Sequence, residues 1–378
     1  MTTGTKQGMY EGILDRLSAE PKTWLVTGVA GFIGSNLLES LLDLGQWVVG
    51  LDNFATGHRR NLEDVGRAVG QAAWRRFRFV EGDITDPKIC QAACEEVDFV
   101  LHQAALASVP RSIQDPLATH HANVTGFLNM LMAARDRRVT RFVYATSSSV
   151  YGSHAALPKI ENRIGTPLSP YAATKYVDEL YAKVFAALYG VRCIGLRYFN
   201  VFGPRQDPAG PYAAVIPRWV DLLLRKQPCP IYGDGESSRD FCYVADVVQA
   251  NLLAAVTQKA AAVNQVYNIA FGRRITLNEL HDTIRDKMAR ICPGLTGLQP
   301  RYLPARPGDI RHSWAGIGKA ARLLEFAPTH SVEQGLDLTL PWYVRHATLA
   351  STRPDIPPAD PRFRPGHTGE LSPIPRPV

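Results

Sequence analysis

The sequence predicts an α/β protein: a doubly wound parallel sheet followed by a smaller, mixed α/β lobe. Three observations predict it. From Lys22 to about residue 197, short apolar runs alternate with amphipathic helical patterns, the signature of a parallel sheet covered on both faces. The first run passes into Gly28-Val29-Ala30-Gly31-Phe32-Ile33-Gly34, a strand, tight turn and helix start in one stretch. Beyond Asn200, Gly203-Pro204 and the prolines at 208 and 211 break the alternation, so a second lobe begins there.

Taken in order, residues 1–20 carry Tyr10, Ile13, Leu14 and Leu17 at helical spacing and read as a helical extension able to dock on the body. Strands are expected near 24–27, 47–51, 77–81, 97–101, 141–145 and 192–197, with helices over 34–44, 60–70, 87–95, 118–137 and 171–189. The second lobe shows helices near 215–226, from Asp246 and near 276–289, and a turn at Gly233-Asp234-Gly235. Residues 351–378 hold eight prolines in twenty-eight positions and no apolar periodicity, and read as a disordered or loosely laid tail. The expected divisions are therefore 1–20, 21–202, 203–348 and 349–378.

Composition narrows the function. With 378 residues, 46% of them hydrophobic, the chain can bury a large core. No run of eighteen apolar residues occurs and the first twenty residues are polar, so neither a membrane span nor a signal peptide is expected, and the reading is cytoplasmic. The six cysteines lack paired CxxC spacing and read as packing thiols, without a metal. A net charge of +7 without a basic run interleaved with aromatics argues against nucleic acid and suits an anionic small substrate.

The glycine stretch looks like a dinucleotide-phosphate cradle. Gly28 permits the turn, Gly31 lets backbone approach a pyrophosphate, and Gly34 lets the helix pack on the strand while its N-terminus faces the phosphates. The second strand ends at Asp52, eighteen residues past Gly34, where an acid accepts both ribose hydroxyls of an adenosine. That makes NAD the expected cofactor. Asp83, after the third strand, is positioned to meet an adenine or is a solvated turn acid. His102, at the end of the fourth, reads as a satisfied core histidine rather than a catalyst.

The reacting groups come from the fifth strand and the helix after it. Thr146-Ser147-Ser148-Ser149 lies at the carboxyl edge of the sheet, and twenty-four residues past Ser147 stands Tyr171, with Lys175 one helical turn on. A free phenol, with a pKa near ~10, is a poor base at neutral pH, but an adjacent ammonium and an oxidised nicotinamide favour the phenolate. Tyr171 then takes a hydroxyl proton while hydride leaves the same carbon, and Ser147 aligns that hydroxyl.

On Gly28 to Gly34, Asp52-Asn53, Ser147 to Gly152, Tyr171 with Lys175, and Arg197-Tyr198-Phe199-Asn200-Val201, the chain resembles the extended short-chain dehydrogenase/reductases that act on nucleotide sugars, over residues 20–345. Through Leu51 to His58, Val109-Pro110-Arg111-Ser112, Gly233 to Phe241 and Pro341-Trp342-Tyr343 it resembles in particular the bacterial UDP-N-acetylglucosamine 4-epimerases of surface-polysaccharide synthesis. The resemblance implies a Rossmann-type fold, bound NAD, a UDP-N-acetylhexosamine substrate and a homodimer paired through the 118–137 and 171–189 helices. It adds Phe32, Ile33, Asn53, Gly57, Ile84, Gln103 and Val201 to the cofactor set. It assigns Asn200, Arg239 and Arg306 to the diphosphate, Asp309 to the uridine ribose, Tyr232 to uracil, and Ser108, Ser148 and Val215 to the sugar. The long tail and Gly316, near which many members carry an acid, depart from the pattern.

The same resemblance orders the alternatives. Nucleotide-sugar 4,6-dehydratases and decarboxylases carry acids just after the strand-end hydroxyl, where this chain has Ser148 and Ser149. A non-catalytic NAD sensor usually loses the tyrosine or lysine. Seven residues past Arg306, where galactose-restricted relatives carry a tyrosine, stands Ser313, which leaves room for an N-acetyl group.

Overall fold

Seven strands form one sheet, all neighbours parallel: β1 (Thr23–Thr27), β2 (Trp47–Asp52), β3 (Phe77–Glu81), β4 (Phe99–His102), β5 (Arg141–Ser147), β6 (Cys193–Tyr198) and β7 (Gln265–Ile269). Their order, β7-β6-β5-β4-β1-β2-β3, reverses direction between β1 and β4, which opens a crevice at the carboxyl ends of those two strands. The computed structural model describes residues 3–209, 213–295, 297–305 and 310–352. The tail from 353 on therefore lies outside the described residues.

The strands read as unbroken apolar runs because both faces are covered. Alternate residues of β1 go to opposite sides: Trp24 and Val26 join a core with Leu37, Leu38 and Leu41, and Leu25 joins one with Val100, Phe127 and Phe142. The N-terminal helix Thr3–Ala19 docks on the first of these through Tyr10, Ile13, Leu14 and Leu17. Buried Gln46 fixes it there, since its Nε2 donates to Leu17 O at 2.7 Å. A third core, with Trp219, Ile231, Leu280, Ile284, Leu336 and Leu340, belongs to the second lobe.

Three features depart from the sequence expectation. β7 lies outside the expected strands; with helix Val244–Val256 it returns the chain to the first body, so the polypeptide beyond Phe202 serves both lobes. The helix expected over 118–137 is interrupted: Pro116–His120 and Gly126–Asp136 are joined by a wide π turn at His121–Thr125. Asn123, buried in that turn, accepts from Leu106 N at 2.8 Å and donates to Thr174 Oγ1 at 3.1 Å, so side-chain hydrogen bonds hold the irregular turn. The 60–70 helix starts at Arg59 and breaks at Gly70, whose φ of +76° is non-helical. Among the described residues no helix is long and apolar enough to cross a membrane.

Candidate active site

The crevice at the strand ends is a cleft of about 670 Å³. Its floor is the glycine turn. Gly28 has φ +67°, and a Cβ there would stand 2.8 Å from Ala104 N; a Cβ on Gly34 would stand 2.1 Å from Gly28 O. Both positions exclude a side chain for steric reasons. Gly31 is the N-cap of helix Phe32–Asp43 and provides no side-chain cap, which leaves first-turn N–H groups for an anion such as a pyrophosphate.

Asp52 ends β2 in the cleft wall. Its carboxylate accepts Ala30 N at 2.9 Å and Phe54 N at 2.8 Å, so it ties the glycine turn to the strand end and keeps further lone pairs for ribose hydroxyls. Burial pushes its carboxyl up, opposed by those N–H bonds. Gly57 does not line the cleft: a Cβ there would meet Ala30 and Asp52, so it serves by letting the chain pass close behind the acid. Asp83 lines the cleft beside Ile84, held by Asn53 Nδ2 at 2.6 Å and Thr85 Oγ1 at 2.8 Å. Phe32, Ile33, Asn53, Gln103 and Val201 line it as well. These residues fit a dinucleotide.

Ser147, Ser148, Tyr171 and Lys175 line the same cleft. Ser147 caps the 3₁₀ turn Ser148–Tyr151, its Oγ accepting from Ser149 N at 3.1 Å and from Ser149 Oγ at 2.9 Å. Ser149 is thus turned to its neighbour and is not among the cleft residues. The Lys175 ammonium, 3% exposed, donates to Ala145 O and to Asp178 Oδ2, each at 3.1 Å, which fixes it at the end of β5.

A second cleft, about 310 Å³, adjoins the first and shares Asn200, Val201, Gln206 and Ala214 with it. Val215, Tyr232 and Arg239 line it, with Arg218. Asn200 holds a left-handed φ of +35° and donates from Nδ2 to Asp240 O at 2.9 Å. Arg239 is braced by Ser238 O and Arg311 O. Two expected sugar-side residues are not on either wall. Ser108 caps helix Val109–Gln114, its Oγ accepting Arg111 N, and Ser313 pairs through its N–H with Ser238 O at 2.9 Å, beside Arg239. Arg306 and Asp309 lie outside the described residues.

Sequence reading passed over several supporting groups. Asp178 and Glu179 follow Lys175 at helical spacing, a signal that could have found them. Burial pushes the Asp178 carboxyl up, and Lys175 pulls it back. Glu179 grips Arg197 in a two-pronged pair at 2.9 and 2.7 Å and accepts Thr146 Oγ1 at 2.9 Å, which locks the Tyr171 helix to β5 and β6. Asp240 accepts from Gly272 N and Ala315 N, and burial pushes its carboxyl up to about 7. Gln103 closes a ring with Tyr198 and Asn251. His102 is buried with its Nδ1 at 2.9 Å from Thr27 Oγ1, and burial drives its pKa down to about 3. It is a neutral core histidine. Five of the six cysteines are buried free thiols, and no metal-binding cluster exists among the described residues.

A glycine-turn dinucleotide cleft with serine, tyrosine and lysine on one wall defines the short-chain dehydrogenase/reductase class. A model described as the NAD dependent epimerase/dehydratase family matches residues 24–270, and the chain belongs to that family, whose cofactor is NAD. A putative UDP-glucose 4-epimerase of Methanocaldococcus jannaschii is 36% identical over 320 residues, covering 84% of this chain and 97% of its own. The UDP-N-acetylglucosamine 4-epimerase of Methanobrevibacter ruminantium M1, solved in complex with UDP-N-acetylmuramic acid, superposes with a TM-score of 0.79 at 36% identity, over 86% of this chain and 99% of that one. A Bacillus cereus UDP-glucuronic acid 4-epimerase, solved with UDP-glucuronic acid and NAD, gives 0.74 at 30% identity, over 86% and 99%.

Proposed function

We propose that this chain catalyses the reversible C4 epimerisation of UDP-N-acetylglucosamine to UDP-N-acetylgalactosamine, or of related UDP-N-acetylhexosamines, through a transient 4-keto sugar. The observation that carries this reading is a cleft lined by Ser147, Ser148, Tyr171 and Lys175 that adjoins, through Asn200, Val201, Gln206 and Ala214, a second cavity lined by Arg239. Bound NAD supplies the hydride acceptor and donor. Tyr171, as phenolate, takes the proton from the sugar 4-hydroxyl as hydride leaves C4, and Ser147 holds that hydroxyl in line. Lys175, one helical turn on from Tyr171, lines the same cleft and is fixed there by Ala145 O and Asp178. After the keto sugar turns over, Tyr171 returns the proton as hydride re-enters the opposite face, so atoms and electrons balance without a co-substrate. Arg239, with Arg306, holds the diphosphate.

An uncharged sugar is supported by the lining of the larger cleft. Among the described residues of the larger cleft, Lys175 is the only lysine or arginine, and it is engaged by Asp178 and Ala145 O, so a uronate carboxylate meets no arginine there. Against the alternative of a 4,6-dehydratase or decarboxylase stand Ser148 and Ser149, which occupy the places just after Ser147 where the resemblance expects those enzymes to carry acids. A homodimer is supported by Leu180, Val184 and Leu188, an exposed i, i+4, i+8 row on helix Pro170–Tyr189, near exposed Ile113 and Leu117. The deciding assay mixes the purified protein with UDP-N-acetylglucosamine and no added cofactor. The 4-epimer is the expected product; a 4-keto-6-deoxy sugar moves the assignment to dehydratase.

A further inference from the structure

A short segment, Gly203–Asp207, whose Gln206 lines both clefts, is tied to the elements on either side of the glycine turn. On one wall, Arg205, only 7% exposed, donates from Nε to Ser35 Oγ at 3.1 Å and from Nη2 to Asn36 Oδ1 at 2.9 Å, and pairs with Glu39. Asn36 Nδ2 answers by donating to Pro204 O at 3.1 Å. All three partners lie on helix Phe32–Asp43, whose first turn faces the pyrophosphate position. On the other wall, Asp207 pairs with His58 Nε2 at 2.7 Å and Arg60 Nη2 at 3.3 Å, and His58 N donates back to Ala30 O of the glycine turn. Gln206, held between these anchors, lines both clefts. Its Nε2 donates to Val201 O at 3.1 Å, yet its Oε1 is buried without a hydrogen-bond partner among the described residues.

A buried amide oxygen left unpaired is costly, and because Gln206 lines both clefts, a turn of its amide brings that oxygen to a ligand hydroxyl or amide N–H. Arg205 sits at a left-handed φ of +68°, a backbone state that its three-point anchorage on the helix sustains. We infer that Arg205-Gln206-Asp207 is a strap that retains the dinucleotide: Arg205 and Asp207 are positioning residues that clamp the segment beside the cradle, and Gln206 is the residue of the strap that faces the bound ligands. A reaction that returns its hydride has no need to exchange cofactor, and a strap fastened on both walls slows that exchange.

The inference rests on the NAD dependence of the family and not on the identity of the sugar. It is tested by NAD release from the full chain, which is read without turnover. The protein is loaded with NAD, passed through a desalting column, and its bound NAD followed over time by acid release and enzymatic cycling. Asp207→Ala is expected to release NAD at least tenfold faster than the unaltered chain. His58→Ala is expected to accelerate release less, because Arg60 remains, and His58→Ala added to Asp207→Ala is expected to add nothing further, since both remove the same anchor. Asp207→Glu, which keeps the charge, is expected to restore most of the retention. Should Asp207→Ala not fold, Asp207→Asn is read in its place by the same criterion. Release at the unaltered rate from a folded variant, or fully additive effects of the His58 and Asp207 substitutions, overturns the strap. Faster release from the variants, together with failure of the NAD-loaded unaltered chain to epimerise any UDP-sugar, leaves the strap standing and removes the epimerase assignment instead.

Discussion

The residues on the cleft wall divide the work between chemistry and support. Tyr171→Phe removes the proposed proton acceptor and leaves the shape of the ring, so turnover is expected to fall a hundredfold or more. NAD content and UDP affinity should stay near normal, which separates lost chemistry from lost binding. Steady-state kinetics with a parallel NAD assay check it, and near-normal turnover removes Tyr171 from its role. Ser313 is the residue on which substrate range turns in the proposed reading. It lies beside Arg239 through its pairing with Ser238, although it is not on the cleft wall. Ser313→Tyr is expected to lower kcat/KM selectively for UDP-N-acetylglucosamine over UDP-glucose, because overpacking beside the C2 group costs about 1–3 kcal/mol. Equal losses on both substrates show that Ser313 does not gate the sugar.

At the scale of the element, the strand-turn-helix unit tolerates no added volume at Gly34. A Cβ at Gly34 would meet three backbone atoms of Gly28 and Val29 within 3 Å, and backbone cannot swing aside as a flexible side chain can. Gly34→Ala is expected to lower stability by about 1–3 kcal/mol or more and to strip NAD during purification. Gly12→Ala, in the open helix Thr3–Ala19 where a Cβ meets nothing within 4 Å, is expected to raise stability by about 0.5–1 kcal/mol. Thermal unfolding of the two variants side by side reads the contrast, and similar melting temperatures count against the packing argument. The π turn at His121–Thr125 teaches a related lesson. An apolar pattern over 118–137 specifies which face of a helix is buried; it does not carry the information that Asn123 finds Leu106 and Thr174, which lie elsewhere in the chain.

The whole molecule sets how the fold responds to acid. His102 is held neutral down to about pH 3, whereas in the unfolded chain its pKa is near 6.5. Between those values the unfolded state binds a proton that the native state refuses, so stability falls as pH falls from 6.5 towards 3, by up to about 1.4 kcal/mol per pH unit from this group. Denaturant unfolding across that window, for the unaltered chain and His102→Asn, is expected to show a shallower pH slope in the variant; parallel slopes place the acid sensitivity elsewhere. The assembly is also a property of the whole. Light scattering at micromolar concentration is expected to give twice the 41.7 kDa chain mass, and Leu180→Lys with Leu188→Lys to give the single mass. A monomer mass for the unaltered chain argues against the dimer.

What the sequence determined by itself was local. A glycine turn after a buried strand, an acid at the end of the next, and a tyrosine and lysine one helical turn apart are each specified by a few neighbouring residues, because backbone geometry and helical spacing act over short stretches. The order of the elements, and with it a parallel sheet, followed from the same short-range patterns. Tertiary structure alone decided what depends on partners distant in the chain. It brought Gln265–Ile269 back as the seventh strand and set Asp178 behind Lys175 with both out of water. It turned Ser149 away from the cleft and fastened Arg205 and Asp207 to helices more than a hundred residues earlier. Burial and long-range hydrogen bonds are consequences of packing, and no window of sequence contains both sides of a packed contact.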